Sequence, residues 1–121
     1  MRVSCATETI EQQRESVELR SFFVRETNPA TGDLIDPTGD PVDVSFAASG
    51  DRPTVWTPMT WAGGGPVNKP GFGESYQADV TVGGTGSGAT VELAVGNWAA
   101  YVRVTAGVET PVLYAGQLRL R

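Results

Sequence analysis

The feature that most constrains this chain is alternation. Apolar and polar residues change places at every second position in short runs, and the runs are separated by glycine, proline, asparagine and aspartate. A period of two puts successive side chains on opposite faces of an extended strand, whereas a helix needs apolar groups three and four residues apart. Residues 42–48 set Val42, Val44, Phe46 and Ala48 against Asp43, Ser45 and Ala47. Residues 74–82 set Tyr76, Ala78, Val80 and Val82 against Gln77, Asp79 and Thr81, and residues 98–105 set Trp98, Ala100, Val102 and Val104 against Ala99, Tyr101 and Arg103. Residues 112–121 are read with Val112, Tyr114, Leu118 and Leu120 on one side and Gln117, Arg119 and Arg121 on the other. In residues 17–26 both sides are apolar: Val17, Leu19 and Phe23 on one, Phe22 and Val24 on the other. That strand is either deeply buried or bound to a partner.

The connections are turn chemistry. Asn28-Pro29-Ala30-Thr31-Gly32-Asp33 and Asp36-Pro37-Thr38-Gly39-Asp40-Pro41 combine the fixed φ of proline with the positive φ that glycine tolerates. Residues 54–62 read as a strand carrying Trp56 and Trp61 on opposite faces, and Pro58 between them predicts a bulge or an edge position. Residues 62–73 read as a long loop, residues 83–88 as a glycine-rich hairpin connection, and residues 90–93 as a short strand. The expectation is all-β: an immunoglobulin-like antiparallel β-sandwich of six to seven strands over residues 16–121. Residues 1–15 read as an extended polar N-terminal arm, too poor in apolar groups for a core helix. Thr9 and Gln12 fit a capping box that allows one or two helical turns.

With 121 residues the chain suits one domain with one core. Its net charge of −5 and scattered basic residues argue against a nucleic-acid partner. No run approaches the roughly 20 apolar residues of a membrane span, so no membrane contact is expected. The single Cys5 allows no internal disulfide, and the first residues hold no signal-length apolar run, so synthesis and folding in a reducing cytoplasm are expected.

The absence of histidine removes Ser-His-Asp and Cys-His nucleophiles and His-ligated zinc. No enzymatic activity, cofactor or metal is expected. The run Gly83-Gly84-Thr85-Gly86-Ser87-Gly88 departs from the dinucleotide fingerprint, and a strand rather than a helix follows it. Asp33, Asp36, Asp40 and Asp43 lack the alternating order of a calcium loop and sit where aspartate stabilises turns. What remains is contact surface. Trp98, at the start of a late strand, is expected in the core. Tyr101 is outward by parity and is the leading candidate interface anchor, joined by Ile10, Phe22, Val24, Trp56 and Trp61.

An ordered series of landmarks resembles small immunoglobulin-like proteins from the structural gene modules of tailed bacteriophages of actinobacteria. It runs from Asp36-Pro37-Thr38-Gly39 and Val44-Ser45-Phe46, through Trp56, Trp61 and Tyr76-Gln77-Ala78, to the segment Gly96-Asn97-Trp98-Ala99-Ala100-Tyr101-Val102-Arg103-Val104. Glu109-Thr110-Pro111-Val112 and Ala115-Gly116-Gln117-Leu118 complete it, so that it covers about residues 17–121. Val95-Gly96-Asn97-Trp98 departs from the Pro-Gly-x-Tyr usual in that group. The resemblance implies a virion structural protein at the capsid or the head–tail connector (neck), made in the host cytoplasm. Its implied partners are portal, connector, capsid or tail subunits and copies of itself, and it implies no catalytic residues. The arm is then expected to hold a neighbour, so that its deletion leaves a folded domain outside the particle. The alternative is a carbohydrate-binding or host-adhesion module, which needs exposed aromatic rings such as Trp56 and Trp61 beside polar acceptors.

Overall fold

The alternating runs are strands, and their apolar sets meet in one buried layer in the computed structural model, which describes residues 2–121. Met1, the first residue of the expected arm, lies outside them. In chain order the strands are β1 (Arg2–Cys5), β2 (Glu8–Gln12), β3 (Glu18–Thr27), β4 (Leu34–Ile35), β5 (Val42–Ala48) and β6 (Thr57–Pro58). Then come β7 (Thr60–Trp61), β8 (Val67–Lys69), β9 (Gly73–Gly84), β10 (Val91–Leu93), β11 (Gly96–Val104) and β12 (Val112–Leu120). Helix is absent among the described residues.

Two sheets form a sandwich. One follows the order β1-β3-β9-β10, with β4 beside β3 and β7 and β8 beside β9; the other follows β2-β12-β11-β5-β6. The first sheet turns Phe22, Val24, Ala78, Val80 and Val82 inward, and the second answers with Val44, Val102, Val104, Leu118 and Leu120. Burying a side chain of this size stabilises by about 1.5–3 kcal/mol, which is why two alternating faces close on each other. All-β architecture with period-two burial is therefore what the alternation dictates.

The described residues form twelve strands rather than six to seven, β8 falls inside the expected loop 62–73, and three further expectations are corrected. The residues read as an arm are two strands of the sandwich itself. β1 pairs antiparallel with β3, and after a crossover at Ala6 and Thr7, β2 pairs parallel with β12 in the other sheet. The capping-box reading fails because Gln12 is buried rather than helical: its amide donates to Val82 O (2.7 Å) and Ser16 O (3.1 Å), and its oxygen accepts from Arg20 Nε (2.9 Å). One side chain of the supposed arm thus ties the two sheets together. Second, the sheets are mixed rather than purely antiparallel. The chain returns after Gly84 and β10 lies parallel to β9, with Val91 opposite Val82, where a hairpin connection was expected. Third, residues 54–62 are not one strand. Pro58 ends β6 against β5, and two residues later β7 has crossed to β9, so Trp56 lies in the connection just before β6 while Trp61 lies in β7 of the other sheet.

Candidate functional site: the outer face of the five-stranded sheet

The face is set by a bulge. β11 and β12 run antiparallel, with Ala100 opposite Gly116 but Tyr101 opposite Tyr114, so Ala115 is an extra residue in β12. The bulge is held by Gly116, whose φ is +109° and whose missing side chain leaves room for the backbone of Glu8 in β2. Because one residue is inserted, the parity of β12 reverses. Leu118 and Leu120 point into the core, whereas Val112 and Tyr114 lie 49% and 46% exposed on the outside. The sequence reading placed all four on one side.

Across the ladder from Tyr114 stands Tyr101, with ring centroids 5.7 Å apart and planes at 63°. That is the edge-to-face geometry favoured by the ring quadrupoles. Two residues along β11 on the same side, Arg103 faces Asp43 of β5 and donates to its Oδ2 from Nε (3.2 Å) and Nη2 (2.9 Å). The guanidinium also lies 4.4 Å from the centre of the Trp56 ring, a cation–π contact that draws the end of the 49–56 connection onto the sheet. At the opposite margin Glu11 of β2 accepts from Arg121 (3.0 Å) and lies 3.8 Å from Arg119. The result is an aromatic and arginine row on β11 and β12, with its charges paired to carboxylates of the flanking β5 and β2.

Of the sequence candidates, Tyr101 and Trp56 belong to this face. Phe22 and Val24 do not, and neither is available to a partner: both are buried in the core, because β3 packs its even-numbered side against the other sheet. Ile10 lies opposite Leu118 and packs inward against the core. Trp61 packs on the core as well, and its Nε1 donates to Asp40 O at 2.8 Å. Trp98 is partly buried against the core, its Nε1 donating to Ala94 O at 3.0 Å. Tyr114, Val112 and Arg103 were missed as site residues. The signal for the first two was Gly116, a glycine inside an alternating run, which marks a bulge more often than a plain strand position.

The remaining polar groups are used locally. Asp36 accepts from the N–H and the hydroxyl of Thr38, which lowers its pKa, and Asp43 is spent on Arg103. The N–H groups of Gly86 and Gly88 donate to the carboxylate of Glu92, so the glycine loop holds an anion of its own chain. Among the described residues no three metal-binding side chains converge. An open groove of about 350 Å³ lies between β5 and β10, lined by Val44, Phe46, Val91 and Leu93 among others.

Trp56 and Trp61 do not form a common platform, since one lies on Arg103 and the other against the core. Tyr101 and Tyr114, crossed at 63°, present no single plane for a sugar ring. Compared with family models, with curated proteins and with solved structures, the chain matches none.

Proposed function

We propose that this chain is a non-enzymatic structural subunit that works by protein–protein contact within a larger assembly. The observation that carries this reading is the outer face of the five-stranded sheet. It groups Tyr101, Tyr114 and Arg103 on a rigid sheet, with Trp56 of the adjoining connection packed on Arg103, and these are the residue types that dominate binding energy at protein interfaces. Rings held by cross-strand packing lose little freedom on docking, which favours binding by a preformed surface.

The setting we favour is the virion of a tailed bacteriophage, with an immunoglobulin-like subunit at the capsid or head–tail connector. The landmark series from Asp36 to Leu118 supports it, and so does the two-sheet sandwich. The test is incorporation. Particles assembled with the intact chain are expected to contain it in fixed stoichiometry, and particles assembled with Tyr114→Arg are expected to lack it. A gene flanked by metabolic enzymes instead of portal, capsid and tail-tube genes would sink the virion setting, and unchanged incorporation of Tyr114→Arg would sink the face.

A further inference from the structure

We propose that β1 is a pH-gated strand: it lies closed on β3 while Glu26 beneath it is protonated, and it lifts from β3 when Glu26 carries its charge. Such a gate operates in the isolated chain and is independent of what the chain assembles with. The two N-terminal strands are anchored unequally. β2 is fastened along its length: Gln12 is 2% exposed and donates to Val82 O of the other sheet, and the Glu8 backbone fills the space over Gly116. Arg14 N donates to Arg121 O (2.7 Å) and Arg121 N to Gln12 O (2.9 Å), which closes its end. β1 has four residues, pairs with β3 alone, and none of Arg2, Val3, Ser4 and Cys5 is fully buried. Ala6 and Thr7 lie outside any strand. Breaking the short ladder and the bond from Ala6 N to Phe23 O therefore frees β1 while β2 stays in place.

What β1 covers supplies the trigger. Glu26 is 5% exposed, stands between Val3 of β1 and Ile35 of β4, and among the described residues its Oε2 has no hydrogen-bond partner. A buried carboxylate without partners is costly, and the protonated acid loses far less on leaving water. Neither flanking strand offers a compensating charge. The residues opposite are Val3 and Ile35, Arg2 lies a step further along opposite Thr27 and is exposed, and Arg25 is turned to the other face of β3. The charged groups that act on Glu26 are Asp40, between β4 and β5, and Glu109, between β11 and β12, with the amino terminus opposing them. Burial first, and then the two carboxylates, hold the carboxyl above its ordinary pKa in the closed state. When β1 lifts, water reaches Glu26 and the shift relaxes. Opening therefore costs most below the ordinary glutamate pKa, becomes easier as pH rises toward the closed-state value, and levels off above it.

The experiment is hydrogen–deuterium exchange of the full chain between pH 4.5 and 8, each rate divided by that of the unfolded chain at the same pH. At pH 8 the amides of β1 are expected to be about tenfold or more less protected than those of β2, the mark of a local opening. Protection of β1 is expected to rise about threefold or more as pH falls to 4.5. Glu26→Gln is expected to hold β1 at its low-pH protection throughout. Glu109→Gln, which removes a facing charge from an exposed turn, is expected to reduce the pH response without abolishing it. Protection of β1 that ignores pH, β1 as protected as β2, a parent-like response in Glu26→Gln, or a Glu26→Gln chain that fails to fold would each overturn the gate.

Discussion

Glu26 is 5% exposed in β3, between Val3 of β1 and Ile35 of β4, and its Oε2 has no partner among the described residues. Burial raises its pKa above the ordinary glutamate value, and the negative charges of Asp40 and Glu109 raise it further. The sign follows from linkage. A carboxyl whose folded pKa lies above its unfolded one contributes stability below the unfolded pKa, and that contribution disappears as pH rises through the folded value. At neutral pH Glu26 therefore costs stability. Glu26→Gln is expected to melt higher than the parent at pH 7, with the gap closing as pH falls toward 4; thermal melts of both proteins over that range check it. The thiol of Cys5 is shifted in the same direction for a related reason: desolvation pushes its pKa up to about 12. A thiolate is the reactive species, so iodoacetamide at pH 7.5 is expected to label the folded chain far more slowly than the chain in denaturant. Rapid labelling of the native protein would show that β1 peels from β3. Neither effect could be read from residue order, because both depend on what the fold stacks above a side chain.

At the scale of elements, the strands most faithful to the alternation were the most legible. β5, β9 and β11 begin and end within about two residues of the runs that define them, though Ser45 and Ala47, expected on the outer side of β5, are buried and Ala48, expected inward, is exposed. The failures have physical causes. Residues 2–12 look too polar for a sandwich strand, but β1 and β2 are edge strands, which need only one apolar side. Val3, Cys5 and Ile10 supply it, and Thr9 and Glu11 face water. β12 kept its extent and lost its parity at Gly116, which hid Tyr114 and Val112 from a count that assumed a regular strand. Two substitutions measure how firmly β2 is held. Gln12→Ala strands the buried Val82 carbonyl and removes the acceptor of Arg20 Nε, and losing such bonds costs about 1–3 kcal/mol. Gly116→Ala asks alanine to adopt φ of +109° and drives its Cβ into the Glu8 backbone, at a cost of about 3 kcal/mol or more. Urea denaturation is expected to show both losses, with Gly116→Ala the larger; a neutral Gly116→Ala would mean that β2 does not lie against the bulge.

For the whole molecule, the consequence is that the two ends of the chain close the same sheet. β2 pairs with β12 from Glu8 opposite Gly116 to Gln12 opposite Leu120, and Arg14 N donates to Arg121 O at 2.7 Å. Contacts this distant in sequence form late, since loop closure precedes any gain from pairing, and β-sandwiches rich in them fold in milliseconds to seconds. Until β12 arrives, β2 has no partner and one edge of β11 is bare. A fragment of residues 13–121 keeps every residue of the landmark series but loses β1 and β2 together, leaving two long strand edges unpaired in one molecule. Unpaired edges recruit other chains. The fragment is therefore expected to elute as aggregate or inclusion-body material under conditions where the full chain gives discrete species in size exclusion. Adding a peptide of residues 1–15 in trans is expected to restore part of the soluble fraction, because it supplies both missing strands. A fragment that melts cooperatively and stays soluble without the peptide would return residues 1–15 to the role of a detachable arm, free to reach a neighbour.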